Sequence, residues 1–245
     1  MVLSNCLPKL YVFSENSFEL IIKGGILRLK EIFQITTIKL NSLKKIVPFI
    51  LIILSSTSAM KQDPKTIIFF GDSLAAGYGL FKEQAFPALI EKELKVNGHN
   101  IKVVNAGLSG ETTAGGLSRI DWILKQKVDI FVLELGSNDA LRGLPLAQTK
   151  ENLQGIINKV KAKSPEAKII IAGMMAPPNL GENYVTEFKE IFPALAKKND
   201  AVLIPFLLDG VAGDESLNLA DGIHPNVEGH KLVAKHVIGF INKLL

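Results

Sequence analysis

Short apolar segments alternate with longer amphipathic segments over residues 66–245. The short segments are rich in β-branched residues, which predicts strands at 66–70, 101–105, 129–135, 168–172 and 201–205. The longer segments carry apolar residues at helical spacing, which predicts helices at 83–96, 117–127, 149–163, 184–198 and 227–244. Strands that alternate with helices of this length form βαβ units, so we predict a mostly parallel sheet.

Two of the predicted strands are apolar on both faces. The runs Ile67-Ile-Phe-Phe70 and Ile130-Phe-Val-Leu133 leave no polar face for solvent. A parallel sheet that is covered by helices on both sides buries such strands fully. We therefore expect a single three-layer α/β/α domain with a five-stranded, mostly parallel sheet. Ligands bind beyond the carboxyl ends of the strands in such a sheet, so the residues that follow the strands are the candidates for a functional site.

Polar residues follow the first three predicted strands and precede the last helix. The strands are followed by Gly71-Asp72-Ser73, by Asn105-Ala-Gly-Leu-Ser-Gly110 and by Gly136-Ser-Asn138-Asp139. These loops, together with Asp221-Gly-Ile-His224, would open on the same edge of the sheet. A serine at a sharp turn after a strand is either a nucleophile or a helix N-cap, and Ser73 alone does not distinguish the two.

The choice of a general base for Ser73 follows from the surroundings of the histidines. Three of the four histidines lie in a predicted turn or on the last helix, where solvent or packing roles are the default: His99, His230 and His236. His224 instead has Asp221 three residues before it and Pro225 directly after it. A carboxylate at that spacing can accept from Nδ1–H and direct Nε2 toward the serine, so we predict Ser73, His224 and Asp221 as a catalytic triad.

Acyl transfer also needs hydrogen-bond donors for the developing oxyanion. The side-chain amide of Asn138 is a candidate because it follows the third strand, although Asn in this position is also a common turn-former. The backbone N–H of Ser73 and that of a glycine in the second loop are further candidates. The spacing does not decide between Gly107 and Gly110.

The four segments together resemble the SGNH hydrolases, also called the GDSL esterase/lipase family. The residues that carry the resemblance are, in the family's order and spacing, Gly71-Asp72-Ser73-Leu74, Gly110, Gly136-Ser-Asn138-Asp139 and Asp221-Gly-Ile-His224. The stretches 71–78, 134–143 and 221–226 are similar to the family's branch of bacterial thioesterases, lysophospholipases and arylesterases. The resemblance covers roughly residues 66–244.

Membership of this family would imply a flavodoxin-like α/β/α fold and a serine esterase that forms an acyl-enzyme. It implies Ser73, His224 and Asp221 as catalytic residues. It also implies an oxyanion hole made by the N–H groups of Ser73 and Gly110 and the side chain of Asn138. Asp72 would hold the backbone around the turn. The family implies a small acyl ester or thioester as substrate, no metal or other cofactor, and a monomer.

The same residues bear on alternative functions. Ala75 stands where a G-x-S-x-G elbow has its second glycine, which argues against the larger α/β-hydrolase class. A metallophosphoesterase would need metal ligands, and those within reach are Asp72, Asn138, Asp139 and His224. Only one plausible ligand histidine is available, which disfavours this function. A carbohydrate O-acetyl esterase on the same fold and a non-catalytic surface-binding domain remain as further alternatives.

Charge and cysteine content exclude several classes of partner. The net charge of +4 comes entirely from residues 1–59, so residues 60–245 carry no net charge and predict no nucleic-acid-binding surface. Cys6 is the only cysteine, which excludes a cysteine nucleophile, a disulfide framework and a thiolate metal site in the domain.

The N-terminal residues resemble a leader. Lys44-Lys45, a short apolar run and the small residues up to Ala59 are typical of a secretory signal, and the run is too short to span a bilayer. We therefore expect a signal-like segment at 41–59, an N-terminal extension of uncertain status at 1–40 and the hydrolase domain at 60–245. Such a protein would be exported to the periplasm or secreted, and would meet a membrane only through the leader or a lipid substrate. One hypothesis places the natural translation start near Leu40.

Overall fold

The computed structural model describes residues 19–22, 25–28 and 63–245. The signal-like segment 41–59 and most of the extension 1–40 lie outside the described residues. Within the extension, strands β1 (Glu19–Ile22) and β2 (Gly25–Arg28) pair antiparallel, with Glu19 opposite Arg28. The pattern of apolar and charged residues did not predict this hairpin. The chain divides into two units, Met1–Lys61 and Gln62–Leu245, and the second is described below by itself.

The unit Gln62–Leu245 is built on the five-stranded parallel sheet that the sequence predicts. Its strands are β3 (Lys65–Gly71), β4 (Ile101–Asn105), β5 (Ile130–Glu134), β6 (Lys168–Ala172) and β7 (Val202–Ile204). They are arranged in the order β4-β3-β5-β6-β7, and each neighbouring pair is parallel.

Helices cover both faces of this sheet. They are α1 (Ser73–Ala76), α2 (Phe86–Val96), α3 (Thr113–Ile123), α4 (Ser137–Leu141), α5 (Leu146–Lys163), α6 (Glu182–Asn199) and α7 (Val227–Ile241). Helices α2 and α7 pack together, while α5 packs between α3 and α6. None of the helices in the described part of the chain is long and apolar enough to cross a membrane.

The central strands of the sheet are buried on both faces, as the covering helices require. In β5 every residue is buried, and in β3 all residues after Lys65 are buried. The strand β3 lies between β4 and β5, and the chain leaves it toward β4 but leaves β5 toward β6. Such a reversal of direction opens a crevice at the carboxyl ends of two adjacent strands, here β3 and β5.

Helix α3 begins four residues before the predicted start of its segment. Gly115 and Gly116 lie in its first turns and concealed the helical pattern, because glycine is a weak helix former. Thr112 caps the helix by accepting from the Gly115 N–H. A Cβ on Gly116 would lie 2.5 Å from Leu135 Cδ1, so this glycine allows the helix to pack closely on the end of β5.

The buried histidine of α7 makes stability depend on pH. The side chain of His230 stacks on Phe86, and its Nδ1 accepts from the Phe86 N–H at 3.1 Å. Burial lowers the pKa of His230 to about 4. The unfolded chain, in which this histidine has its ordinary pKa of about 6.5, therefore binds more protons between pH 6.5 and 4. This group makes the free energy of unfolding fall as the pH is lowered through that window.

We expect His230→Asn to reduce this pH dependence, because asparagine can still accept from the Phe86 N–H but does not titrate. Urea unfolding at several pH values between 7 and 4 measures the difference, which should approach roughly 1.4 kcal/mol per pH unit in the steepest part. His99→Asn, which changes an exposed histidine, is the matched control. Contributions from other groups cancel in the comparison with the unmodified chain, so equal slopes for that chain and His230→Asn would contradict the prediction.

Candidate active site

Ser73 is the first residue of α1 and is separated from Gly71, the last residue of β3, by Asp72 alone. The cap of this helix is Asp72, whose Oδ1 accepts from the Leu74 N–H at 3.0 Å. Because Asp72 caps the helix, the hydroxyl of Ser73 does not serve as an N-cap. The serine side chain is half-buried and lies at the crevice between β3 and β5.

The segments that contain Ser73 and His224, which are 151 residues apart in sequence, lie together. His224 Nε2 is 2.9 Å from Ser73 Oγ, and His224 Nδ1 is 2.7 Å from Asp221 Oδ2. These three side chains form a continuous hydrogen-bonded chain from carboxylate to hydroxyl. In such an arrangement, Nε2 can take the serine proton when the carboxylate holds the proton on Nδ1.

The carboxylate of Asp221 is fixed by the backbone that follows it. Its Oδ1 accepts from the N–H groups of Ile223 and His224, each at 3.0 Å. Gly222, with φ of +75°, allows the chain to turn back tightly enough for both bonds. These backbone hydrogen bonds, with those to the His224 side chain, lower the pKa of Asp221 to about 2. Asp221 therefore stays ionised beside the imidazole at neutral pH.

The structure distinguishes the two glycines that the spacing left open as oxyanion donors. The Gly107 N–H already donates to Asn105 Oδ1 at 3.0 Å, and a Cβ on Gly107 would lie 2.3 Å from the Ala76 nitrogen. Gly107 therefore serves close packing of the backbone. The Gly110 N–H makes no hydrogen bond with any of the described residues, so it is free to donate to a ligand.

A turn presents the Gly110 amide. Glu111 N–H donates to the Leu108 carbonyl at 3.1 Å, and the φ of Gly110 is +78°, as the third position of a type II turn requires. Arg142 Nη2 donates to the Gly110 carbonyl at 2.9 Å. The turn thus orients its central peptide group, which carries the Gly110 N–H, and the arginine holds the peptide group that follows Gly110.

Asn138 lies in α4, which follows β5 at the other side of the crevice. Its Nδ2 donates to Asp72 Oδ2 at 3.1 Å, and this bond sets the orientation of the amide. An amide nitrogen has two N–H groups, so the second remains available to a ligand. Ser73, Gly110 and Asn138 all line one cavity together with His224.

The cavity has a volume of about 770 Å³ and a mostly apolar wall. The main apolar side chains of the wall are Leu74, Leu141, Met174, Met175, Pro177, Phe206 and Ile223. Among the described residues that line it there is no Lys, Arg or Glu, and the only Asp is Asp72. Such a cavity suits an uncharged, apolar group beside the nucleophile.

Three residues at the site were not assigned a role from the sequence. The ring of Tyr78 lies over His224 with 4.5 Å between ring centroids, and Arg142 holds Gly110 as described above. Glu134 accepts from backbone N–H groups on both sides of Ser73. Of these three residues, only Glu134 could have been singled out from the sequence, because it is a charged residue at the end of a strand that is otherwise apolar.

The carboxylate of Asp139, a candidate metal ligand in the sequence analysis, is engaged elsewhere. Its Oδ2 accepts from the Thr113 N–H at 2.8 Å, and its Oδ1 accepts from the hydroxyls of Thr113 and Thr149. Over residues 63–245, no group of three or more His, Cys, Asp or Glu side chains is arranged to hold a metal ion. Asp139 instead ties the start of α3 to α4, and so joins the segments that carry Gly110 and Asn138.

The sequence is similar to a known protein family and to characterised relatives. The profile of the GDSL-like Lipase/Acylhydrolase family matches residues 69–232. Esterase TesA of Pseudomonas aeruginosa is 38% identical over 182 residues, which are 74% of this chain and 90% of that protein. Thioesterase 1/protease 1/lysophospholipase L1 of Escherichia coli K12 is 37% identical over 188 residues, or 76% of this chain and 87% of that protein.

A solved structure supports the same fold. The psychrotrophic esterase EstA from Pseudoalteromonas sp., in a structure inhibited by monoethylphosphonate, superimposes with a TM-score of 0.70 at 32% identity. The match covers 73% of this chain and 97% of that one. The expected three-layer fold around a five-stranded parallel sheet is therefore confirmed.

Proposed function

We propose that the chain, which belongs to the GDSL-like lipase/acylhydrolase family, hydrolyses carboxylic esters or thioesters through an acyl-enzyme on Ser73. Its activity as an ester hydrolase accords with the esterase and thioesterase relatives. The assignment of roles to individual residues is our proposal. The observation that carries it is the chain of hydrogen bonds from Asp221 through His224 to Ser73 at the mouth of the cavity.

In the first half-reaction, Ser73 Oγ attacks the acyl carbonyl carbon as His224 Nε2 takes the hydroxyl proton. The carbonyl oxygen becomes an oxyanion, which accepts hydrogen bonds from the N–H groups of Ser73 and Gly110 and from the Asn138 amide. Asp221 stabilises the imidazolium that forms. His224 then gives its proton to the departing alcohol or thiol, and the ester bond to Ser73 remains.

In the second half-reaction, a water molecule gives a proton to His224 Nε2 and its oxygen attacks the acyl-enzyme carbonyl. The same donors stabilise the second oxyanion. When that intermediate collapses, Ser73 Oγ leaves with the proton from His224, and the carboxylic acid is released. The residues thereby return to their starting protonation states.

The apolar wall of the cavity favours the binding of an uncharged acyl group. The apolar side chains beside Ser73 offer hydrophobic burial to methylene groups, at about 0.8 kcal/mol for each one fully buried. Within one acyl series, kcat/KM should therefore rise with chain length until the cavity is filled.

Hydrolysis of p-nitrophenyl esters from acetate to palmitate, with matched acyl thioesters, tests the activity and defines the substrate. We expect activated acyl esters to be cleaved without added metal, and EDTA to have no effect. Acetylated sugars in the same assay separate a carbohydrate O-acetyl esterase from an enzyme for longer acyl groups. If the protein hydrolyses none of these compounds, the proposed function is contradicted and a binding domain is favoured.

Asn138→Ala should lower kcat by roughly 10²–10³-fold, because one oxyanion donor is removed. The KM should change much less, since this donor acts on charge that develops only in the transition state. Steady-state kinetics with p-nitrophenyl butyrate measures both values. Asn158→Ala, which changes an exposed amide on α5, is the matched control. An unchanged kcat for Asn138→Ala would remove this residue from the oxyanion hole.

We also propose a role for the N-terminal residues and an oligomeric state for the domain. Residues 41–59 would direct export, residues 60–245 would form the mature hydrolase domain, and this domain would act as a monomer. The unit Gln62–Leu245 contains all the site residues, which supports an independent domain. Amino-terminal sequencing of the protein from its natural host tests cleavage after Ala59, and recovery of Met1 would contradict it. Analytical ultracentrifugation of residues 60–245 tests the monomer.

A further inference from the structure

Glu134 is a carboxyl group in the interior beneath Ser73. It is fully buried at the end of β5. Its Oε2 accepts from the Asp72 N–H at 3.1 Å and from the Ala75 N–H at 3.2 Å. The two amides flank the nucleophile in sequence, so Glu134 holds the turn that presents Ser73 from below.

The hydrogen bonds of this turn leave a single amide available. The Leu74 N–H donates to Asp72 Oδ1, and the Ala76 N–H donates to the Asp72 carbonyl. With the two bonds to Glu134, the amides of residues 72 and 74–76 all have acceptors. The Ser73 N–H makes no hydrogen bond with the described residues, and it is the amide that the proposed oxyanion hole requires.

The fold also provides space for the Glu134 carboxyl. A Cβ on Gly71 would lie 2.2 Å from Glu134 Oε2 and 2.7 Å from the Glu134 carbonyl oxygen. Gly71 therefore lacks a side chain where the carboxyl must approach β3. Asp72 also links this turn to the other side of the crevice, because its Oδ2 accepts a hydrogen bond from the Asn138 amide.

We propose that Glu134 is a positioning residue, which acts as a neutral carboxylic acid that holds the Ser73 turn so that the Ser73 N–H faces the oxyanion. This inference rests on the proposed function of the site. The reach of the side chain to the Asp72 and Ala75 amides is what matters, and its negative charge is not needed.

The surroundings of Glu134 support the neutral form. Its Oε1 is buried and has no hydrogen-bond partner among the described residues, so a full charge on this group would be costly. Burial raises the pKa of Glu134 well above its ordinary value, and the negative charge of Asp72 raises it further. Burial also raises the pKa of Asp72 to about 6. The other titratable group that influences this pair is His224, which favours the charged form of Asp72.

Two substitutions separate reach from charge. Glu134→Gln keeps the reach and the acceptor oxygen but cannot ionise, so kcat should stay within about threefold of the unmodified enzyme. Glu134→Asp keeps the acid but is one methylene shorter, so kcat should fall by roughly 10–100-fold with little change in KM. Affinity for an alkylboronic acid, whose adduct with Ser73 carries a tetrahedral centre, should fall in parallel with kcat for Glu134→Asp.

Asp129→Asn is the matched control, because Asp129 accepts from the Thr66 N–H at the opposite end of β3. It should change thermal stability but neither kcat nor the affinity for boronic acid. A large loss of kcat in Glu134→Gln, with activity kept in Glu134→Asp, would overturn the proposal. The proposal would also be overturned if kcat fell by the same factor in Glu134→Gln, Glu134→Asp and Asp129→Asn and thermal stability fell equally in all three. If the unmodified enzyme hydrolyses no ester, the proposed function fails instead, and the two failures are thus distinguishable.

Discussion

Replacement of Ser73 by alanine is expected to lower kcat for an activated acyl ester by roughly 10⁴–10⁶-fold. The variant keeps the cavity and the oxyanion donors but has no oxygen to form the acyl-enzyme. Steady-state hydrolysis of p-nitrophenyl butyrate at neutral pH measures the loss. Ser109→Ala, which changes another serine of the cavity wall, is the matched control and should keep nearly full activity.

The same experiment extended to His224 tests whether the two residues act as a unit. His224→Ala should lose about as much activity as Ser73→Ala, and the double variant should lose little more, because each substitution alone abolishes the same step. Losses that multiply in the double variant would contradict the acyl-enzyme mechanism. Circular dichroism of the three variants shows whether the fold is kept.

Asp221→Asn should lower kcat by roughly 10³–10⁴-fold while the free energy of unfolding changes little. Asparagine can still accept from the Ile223 and His224 N–H groups, so the loop should keep its shape. Its amide would face His224 Nδ1 as a donor, which forces the proton onto Nε2 and leaves no acceptor for the Ser73 proton.

Asp214→Asn is the matched control for this change. Asp214 also accepts from a backbone N–H two residues later, that of Ser216, but it lies outside the cavity wall. This variant should keep its activity. If Asp221→Asn retains activity within tenfold of the unmodified enzyme, the carboxylate does not orient the imidazole, and the proposed triad is reduced to a pair.

The architecture was predictable because its signals are local. A strand that is buried on both faces needs a continuous apolar run, and this requirement locates β3 and β5 in the sequence. The rule that parallel strands end at one edge then brings the segments of Ser73, Gly110 and Asn138 together. Helix boundaries were predicted less well, because capping by Thr112 and the glycines of α3 depends on packing that a periodic pattern does not reveal.

The supporting contacts could not be predicted for a different reason. Glu134, Tyr78 and Arg142 act on residues that are distant in sequence, and no spacing rule links them to their partners. The choice between Gly107 and Gly110 likewise depended on which amide already has an acceptor. Hydrogen-bond partners of this kind follow from three-dimensional contacts, and the sequence shows only that a charged residue ends an apolar strand.

The wall residues Met174, Met175 and Pro177 belong to the connection between β6 and α6, which contributes neither a member of the triad nor an oxyanion donor. Part of the apolar wall is thus carried by a stretch of chain that lies outside the proposed catalytic machinery. We expect that exchanging this segment with that of a homologue would shift the chain-length preference, while the triad and the oxyanion donors would be left in place. Changes in one connecting loop could in this way alter substrate range without any change in the residues proposed to cleave the bond.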